Sequence, residues 1–305
     1  MGYLKVKGGK YFYREQGAGL RGAGLRGAGL RRASLPVGYS QKTGRPAVTY
    51  LHPGDGQTPS QERKTLLMIH GLGGSSRDFD FQFRYFSRKY RCIAPDLAGC
   101  GRSSLAEDNY SLESSVSQIK RLFRQLKLKS VILLGHSMGG MIALEYGLKY
   151  PRDIDKLILV SCLPFVKNNL TYLLGLRIFQ YIYPLIPKSA IRFYLFRLNI
   201  SPQNLNEDLS KWLKTELNQF QKKDLKVMSE YVNSLVGWNI LGRLKGIKVP
   251  TLIIKGEKDF IVSNKSLEIL HQKIKGSKES LIKGCRHCPM YEKPLAFNQI
   301  LEEFI

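Results

Sequence analysis

LLGHSMGG, Leu133 to Gly140, lies between a run rich in Ile, Val and Leu and a longer segment of helical period. It contains the pattern G-x-S-x-G. Because glycine has no side chain, Gly135 and Gly139 let a strand and a helix crowd together, and the serine between them can occupy a sharp, strained turn. The stretch therefore predicts a strand, a turn carrying a nucleophilic Ser137, and a helix whose first N–H, that of Met138, is an oxyanion donor.

A serine hydroxyl is a weak nucleophile, so it needs a base, and the base needs an acid to orient it. Downstream, Asp259 follows the apolar run PTLIIKG and His287 follows the run SLIKG. Parallel strands end at one edge of a sheet, so residues placed just after three strands can converge there. We predict Ser137, Asp259 and His287 as nucleophile, acid and base, with Glu257 as a competing carboxylate two residues before Asp259.

A second oxyanion donor is expected in the loop after the first parallel strand. HGLGGS, His70 to Ser75, occupies that place. Its glycines let the backbone turn in tightly, which makes the N–H of Leu72 the predicted donor.

Apolar runs alternate with segments of helical period from Lys64 onward, the pattern of a parallel sheet covered by helices. The predicted strands are 65–70, 91–96, 130–136, 156–161, 250–256 and 280–284. The predicted helices are 76–90, 112–126, 138–150, 261–275 and 294–305. We therefore expect an α/β fold with a mostly parallel, doubly wound sheet.

The segment between the strands that end at Ser161 and begin at Pro250 is far longer than one crossover helix. We predict an inserted helical cap over 163–236, a core formed by 65–162 and 237–305, and N-terminal strands with an insertion in 1–64. Apolar residues of the cap such as Leu173 and Leu176 return with helical period. This stripe fits packing against the core, and an acyl-binding or lipid-facing surface is the alternative.

These motifs resemble the α/β-hydrolase superfamily, in the branch with a serine nucleophile and a helical cap that includes esterases, monoacylglycerol-type lipases and carbon-carbon bond hydrolases. The resemblance runs from about Thr65 to Ile305 and includes Asp96 to Ser103, DLAGCGRS, which is similar to the family's D-x-x-G-x-G-x-S loop with Cys100 where histidine is common. It implies a triad of Ser137, Asp259 and His287 beneath the cap.

The nucleophile narrows the chemistry, because serine indicates acyl transfer to water through an acyl-enzyme. The first hypothesis is a cofactor-free hydrolase of small-molecule carboxylic esters, including lipid-derived acyl esters. One alternative is cleavage of a carbon-carbon bond in vinylogous diketones by the same triad, for which Arg177, Arg192 and Arg197 would supply positive charge. The other is a non-catalytic ligand receptor on a hydrolase scaffold.

The net charge of the chain indicates which kinds of partner it could bind. The chain of 305 residues has 48 Lys and Arg against 24 Asp and Glu, a formal net charge of +24. This excess favours anionic surfaces and leaves peripheral contact with an anionic membrane open. No signature of a nucleic-acid-binding module is present, so no nucleic-acid partner is expected.

Five scattered cysteines do not form the pattern of a disulfide framework. Cys285 and Cys288 flank His287 but lack the second ligand pair that a zinc site needs, so no metal is expected, whereas oxidation of these thiols stays open. The start, MGYLKVKGGKYFY, has no apolar signal region, and no apolar run of about 18 residues follows. These features predict a cytoplasmic protein, with peripheral membrane contact as the variant.

A repeat, GAGLRGAGLRGAGLRR (Gly17 to Arg32), interrupts the N-terminal strands. Its glycine content predicts a mobile loop. In one assignment LKVKG and KYFYRE form a hairpin; in the other KYFYRE pairs with AVTYLH (Ala47 to His52). The second needs a shorter structureless loop and is favoured on that ground.

Overall fold

The computed structural model describes residues 1–6, 9–17, 63–105, 110–167, 199–219 and 222–305. The strands in these parts are β1 (Gly2–Val6), β2 (Gly9–Gln16), β3 (Thr65–Ile69), β4 (Arg91–Pro95), β5 (Val131–His136), β6 (Ile154–Val160), β7 (Thr251–Gly256) and β8 (Lys278–Ile282). The helices are α1 (Asp80–Phe86), α2 (Leu112–Gln125), α3 (Met138–Lys149), α4 (Glu207–Gln219), α5 (Lys222–Leu235), α6 (Asn264–Lys273), α7 (Pro289–Glu292) and α8 (Pro294–Phe304). Short 3-10 turns cover Ser76–Phe79, Pro151–Asp153, Pro202–Asn204 and Leu244–Gly246.

The strands form one sheet in the order β1-β2-β4-β3-β5-β6-β7-β8. Neighbours from β4 to β8 run parallel. Only the N-terminal hairpin is antiparallel, both within itself and against β4. The expected α/β class with a mostly parallel sheet is confirmed, and each of the predicted core strands is present to within two residues at either end.

The central strands are apolar along their whole length because both faces of the sheet are covered. Every residue of β3 and β5 is buried. Leu67 and Leu133 pack on the face covered by α2, α3 and α6, whereas Met68 and Leu134 pack on the face covered by α1 and α8. The predicted helix 76–90 divides into a 3-10 turn followed by α1, which ends at Phe86.

The N-terminal strands correct one prediction. KYFYRE lies in β2, and both of its edges are occupied, since Phe12 pairs with Tyr3 of β1 and Tyr13 pairs with Pro95 of β4. The favoured pairing with AVTYLH, residues 47–52, is therefore wrong, and the hairpin with LKVKG is correct. The shorter loop was a poor criterion because the entropic cost of closing a loop grows only slowly with its length. The observed pairing of β2 with β4 buries Phe12 and Tyr13.

Residues 18–62, which include most of the repeat, lie outside the described residues. The described chain leaves β2 at Gly17 and returns at Arg63. Both points lie at the amino end of the parallel strands, because Gln16 pairs with Cys92, the second residue of β4, and β3 begins at Thr65. The described chain thus ends at Gly17 and resumes at Arg63 at the end of the sheet opposite to the turn after β5.

Two helices described between β6 and β7, α4 and α5, belong to the predicted cap. Val227 and Tyr231 of α5 join the core cluster that contains Leu133, whereas Leu209 and Leu213 of α4 pack in a small separate cluster. The predicted stripe around Leu173 and the three cap arginines fall in 168–198, outside the described residues. The cap boundaries stay a prediction. Within the described part of the chain, no helix has the length and apolar character required to cross a bilayer.

Candidate active site

The turn between β5 and α3 holds Ser137 in a backbone conformation that residues other than glycine rarely adopt, with φ 53° and ψ −116°. A Cβ on Gly135 would overlap the carbonyl oxygen of Gly139, and a Cβ on Gly139 would overlap that of Ile69. Only glycine fits these two positions. The amide of Ser137 donates to the carbonyl of Val160 at 2.8 Å, which fixes the turn to the next strand of the sheet.

Asp259 and His287 are joined directly. Nδ1 of His287 lies 2.9 Å from Oδ2 of Asp259, and both residues are buried. The other carboxylate oxygen accepts the N–H groups of Ile261 at 2.9 Å and Val262 at 3.0 Å. Burial by itself would raise the pKa of Asp259, but His287 and the N–H of Val262 together hold that pKa below its usual value. Asp259 is therefore ionised and fixes the orientation of the imidazole.

Glu257, the competing carboxylate, is directed elsewhere. Its Oε2 accepts the N–H of Gly284 at 2.8 Å, so it braces the loop after β8. Asp259 is the carboxylate that contacts His287.

His136 links the serine turn to the loop of His287. Its Nε2 lies 3.0 Å from the carbonyl oxygen of His287, and the two rings are 4.9 Å apart between centroids. Burial, with the neighbouring His287, lowers the pKa of His136 to about 3, so the ring is neutral and Nε2 donates to the carbonyl. The residue before Ser137 thus holds the backbone of His287, which brings the three predicted residues to one edge of the sheet.

The loop after β3 forms a tight turn closed by the N–H of Gly74, which donates to the carbonyl of Gly71 at 3.2 Å. Gly73 has φ 72°, which suits glycine in the third position of such a turn, and Leu72 precedes it. A Cβ placed on Gly71 would lie 3.2 Å from Cβ of Ser137. The backbone that leads to Leu72 therefore passes directly beside the serine, and Met138, the next residue after the serine, begins helix α3.

The DLAGCGRS loop serves as a brace. The carboxylate of Asp96 accepts the N–H of Ser76 at 2.7 Å and that of Arg102 at 2.8 Å. The hydroxyl of Ser103 donates to the carbonyl of Asp96 at 2.7 Å and accepts the N–H of Phe12 at 2.9 Å. This loop therefore fixes the segment after the turn at residues 71–74 to strand β2; we call that turn the oxyanion turn because it carries the predicted donor Leu72.

Helices α4 and α5 contact the oxyanion turn and its surroundings. A Cβ on Gly73 would come within 2.8 Å of Sδ of Met228 in α5. In α4, Glu216 forms an ion pair with Arg77, and Nε1 of Trp212 donates to Asp80 at 3.0 Å. The ring of Trp212 also lies 4.7 Å from that of Tyr291, in the helix that follows His287.

The two cysteines beside His287 are buried thiols. Burial raises the pKa of Cys285 and that of Cys288, so neither is disposed to form the reactive thiolate. Sγ of Cys288 lies 3.8 Å from Nε2 of His136 and 3.4 Å from Oδ1 of Asn199. In the described ranges, no group of three or more His, Cys, Asp or Glu side chains is arranged to hold a metal ion.

Two polar residues near the site went unnoticed in the sequence. Asp78 lies against Gly74 of the oxyanion turn, and burial, followed by the charge of Glu216, raises its pKa well above the usual value. Lys255 is buried in strand β7, immediately before the loop of Asp259. The sequence signal for Lys255 is a lysine at the end of the apolar run PTLIIKG. No comparable sequence signal marks Asp78.

Comparison with known proteins agrees with this geometry. A family model for the alpha/beta hydrolase fold matches residues 64–294. Lipase 1 of Psychrobacter immobilis is 30% identical over 234 residues, 74% of this chain and 72% of that protein. The chain belongs to the α/β-hydrolase family, and it is a hydrolase by fold and relationship.

Other relatives carry different names. A proline iminopeptidase of Thermoplasma volcanium is 28% identical over 80% of this chain and 89% of its own length. The crystal structure of the enol-lactonase from Burkholderia xenovorans superposes with a TM-score of 0.76, covering 99% of both chains at 17% identity, a likeness of fold alone.

Proposed function

We propose that this hydrolase cleaves carboxylic esters through an acyl-enzyme formed on Ser137. The observation that carries the proposal is the hydrogen bond between Asp259 and His287 at the sheet edge where the strained turn presents Ser137. A hydrolase with this arrangement needs no cofactor, because nucleophile, base and oxyanion donors all come from the chain.

In the first half of the reaction, Oγ of Ser137 attacks the ester carbonyl and gives its proton to Nε2 of His287. Asp259 stabilises the imidazolium that forms. The N–H groups of Leu72 and Met138 donate to the oxyanion of the tetrahedral intermediate. When the intermediate collapses, the bond to the leaving oxygen breaks, and that oxygen takes the proton from His287, which releases the alcohol.

In the second half, water attacks the acyl-enzyme and gives a proton to His287. The oxyanion is again held by the two N–H groups. Collapse breaks the bond between the acyl carbon and Ser137, and the serine regains its proton. The acid departs and the free enzyme is restored.

Lipid-derived acyl esters are the substrates we favour. The relative from Psychrobacter immobilis is named a lipase, and the structural neighbour from Burkholderia xenovorans is named an enol-lactonase. In this chain, Met228 of α5 lies against Gly73, which places an apolar side chain beside the turn that carries Leu72. An apolar wall there favours an acyl chain over a charged acid.

The test compares p-nitrophenyl esters of increasing acyl length with a vinylogous dienoate. We expect ester turnover that falls by at least about 10³-fold in Ser137→Ala. The matched control is Ser130→Ala, at the opposite end of β5, where the hydroxyl donates to Asp155 at 3.0 Å on the surface. Its turnover should match that of the unsubstituted protein.

Two results would overturn the proposal. Turnover of the dienoate without turnover of any ester would establish the carbon-carbon bond hydrolase. Tight binding of esters with no turnover of either substrate class would establish the ligand receptor.

A further inference from the structure

Lys255 is a buried cation in the strand that leads to the candidate acid. Its exposed fraction is 1%, on a strand whose residues are all buried. Placing an ammonium group out of water is costly unless the charge is compensated, and lysine is among the residues least often fully buried. An apolar residue would continue the run TLII at no such cost, so the position of this lysine calls for a physical account.

The hydrogen bonds of Lys255 lead to Asp259. Its Nζ donates to the carbonyl oxygen of Gly256 at 2.8 Å. The same oxygen accepts the amide N–H of Asp259 at 3.1 Å, the bond that closes the turn presenting the acid. One carbonyl therefore joins the buried ammonium to the backbone of Asp259.

Gly256 also lies against the loop of the candidate base. A Cβ at this position would overlap the carbonyl oxygens of Cys285 and Arg286, so only glycine allows the end of β7 to approach that loop. The ammonium of Lys255 thus lies where the strand, the turn of Asp259 and the loop of His287 meet.

We propose that Lys255 is a positioning residue that holds the turn of Asp259 through the carbonyl of Gly256 and sets, by its charge, the pH range in which His287 acts as base. The inference rests on the proposed function and adds to it a residue outside the triad. A positive charge near Asp259 offsets part of the attraction of that carboxylate for the imidazolium, so removal of the charge is expected to strengthen that attraction.

In the described part of the chain, the charged groups around this pair include Arg286, which precedes His287 and donates to the carbonyl of Ile200 at 3.0 Å, and the exposed Lys258, which precedes Asp259. The carboxylates of Asp259 and Glu257 face Lys255; burial lowers the pKa of the lysine, and these two carboxylates oppose the shift. Two groups contact the loop of His287. Asp259, in the loop after β7, contacts the imidazole of His287, and the neutral ring of His136, at the end of β5, contacts its backbone carbonyl. The protonated thiol of Cys288 follows His287 in its own loop.

Beyond them, Glu292 of α7 accepts the N–H groups of Ser201 at 2.8 Å and Arg286 at 2.7 Å, and Asp78 and Tyr291 lie towards α4. None of these groups is changed in the variants below. A shift between variants therefore reports the charge at position 255.

The experiment uses two substitutions at this position. Lys255→Gln removes the charge and keeps a donor for the carbonyl of Gly256, whereas Lys255→Met removes both. We expect the acid limb of kcat/KM on a soluble p-nitrophenyl ester to move to higher pH by about 0.5–1 unit in both variants. Only Lys255→Met should also lose kcat at the plateau, by several-fold, because its turn has lost the buried hydrogen bond.

Lys156→Met is the matched control. Lys156 lies on the adjacent strand β6, and its Nζ donates to the carbonyls of Phe304 and Ile305, the latter at 3.2 Å, at the end of the sheet away from Ser137. This variant loses the same charge and a similar hydrogen bond. Its acid limb should coincide with that of the unsubstituted protein.

The inference is overturned if the acid limb of Lys255→Gln coincides with that of the unsubstituted protein, or if Lys156→Met moves it equally. Should Lys255→Met not fold, Lys255→Gln alone decides. The proton NMR titration of the His287 imidazole, made in the Ser137→Ala background, gives the same answer without turnover. The role of Lys255 is refuted if the imidazole titrates in Lys255→Gln at the same pH as in the protein with Lys255, or at a lower pH. If the unsubstituted protein does not turn over esters, only the proposed function is refuted.

Discussion

At the scale of single residues, the site combines a strained serine with two side chains whose protonation states are fixed by their surroundings. The backbone of Ser137 costs on the order of 1–3 kcal/mol relative to a relaxed turn. That cost is tolerated because close approaches at Gly135 and Gly139 leave the chain no other path. Neutral His136 and ionised Asp259 then fix the backbone and the ring of His287 from two sides.

Asp78 gives a prediction about pH and stability. Its folded pKa is raised, so wild-type protein loses stability as pH rises through that folded pKa. Asp78→Asn stays neutral and escapes the loss. The variant should be more stable than wild type at pH 8, by on the order of 2–4 °C in Tm, with the gain shrinking towards pH 5.

Thermal unfolding at both pH values makes this measurement. Asp155→Asn, on the exposed end of β6, is the control and should show no gain at either pH. If the gain in Tm of Asp78→Asn were constant with pH, or larger at pH 5, the folded protein would not favour the protonated form of Asp78.

At the scale of elements, helix α4 is attached by a few polar contacts and a small apolar cluster. Arg77 forms an ion pair with Glu216. Asp80 accepts the indole N–H of Trp212 and forms an ion pair with Arg14. Burial raises the pKa of Glu216 and Arg77 opposes that rise, so the carboxylate depends on its partner. Because these contacts join α4 to the segment after the oxyanion turn, we expect the mobility of α4 and the geometry of the turn to be coupled.

Arg77→Met should therefore loosen α4 without unfolding the protein. We expect amide hydrogen exchange in α4 to accelerate about two- to fivefold, while exchange in α2 is unchanged. Lys211→Met is the matched control, since it breaks an exposed ion pair with Glu207, at 2.7 Å, on the same helix. Equal acceleration in both variants would mean that the contact with Arg77 does not hold α4.

The elements also show what a sequence can predict. Strands buried on both faces, such as β5, appear as uninterrupted apolar runs, and the glycines around Ser137 mark a turn that excludes other residues. The pairing of β2 with β4 joins residues about eighty positions apart and leaves no local signal. Asp78 acquires its raised pKa from neighbours brought together only by the fold, so composition and spacing do not reveal it. The lysine that ends the apolar run PTLIIKG is a local signal for Lys255, but its contact with the turn of Asp259 is not.

At the scale of the whole molecule, the excess of 48 basic over 24 acidic residues predicts attraction to anionic lipid surfaces. We expect co-sedimentation with vesicles that contain anionic lipid at 50 mM salt and loss of most of the bound protein at 500 mM, because the attraction is screened. Vesicles of zwitterionic lipid alone should bind little protein. Binding that ignores salt would contradict an electrostatic attachment.

The repeat gives a second prediction at this scale. The chain leaves β2 at Gly17 and returns at Arg63 at the amino end of the strands, whereas Ser137 follows the carboxyl end of β5. Deleting Gly17 to Arg31 should leave kcat/KM for a p-nitrophenyl ester within about twofold of wild type, because no described contact of the site involves this end of the sheet. A soluble, folded deletion variant without turnover would place the repeat in the function of the site.

Labelling by a fluorophosphonate probe, mapped by peptide mass spectrometry, tests the central claim most directly. The probe reacts with a serine only where a base activates it and an oxyanion site receives the phosphonyl oxygen. We predict one adduct, on the peptide that contains Ser137, lost in Ser137→Ala and strongly slowed in His287→Ala. An unlabelled protein, or an adduct that persists in Ser137→Ala, would contradict the assignment of Ser137 as the nucleophile.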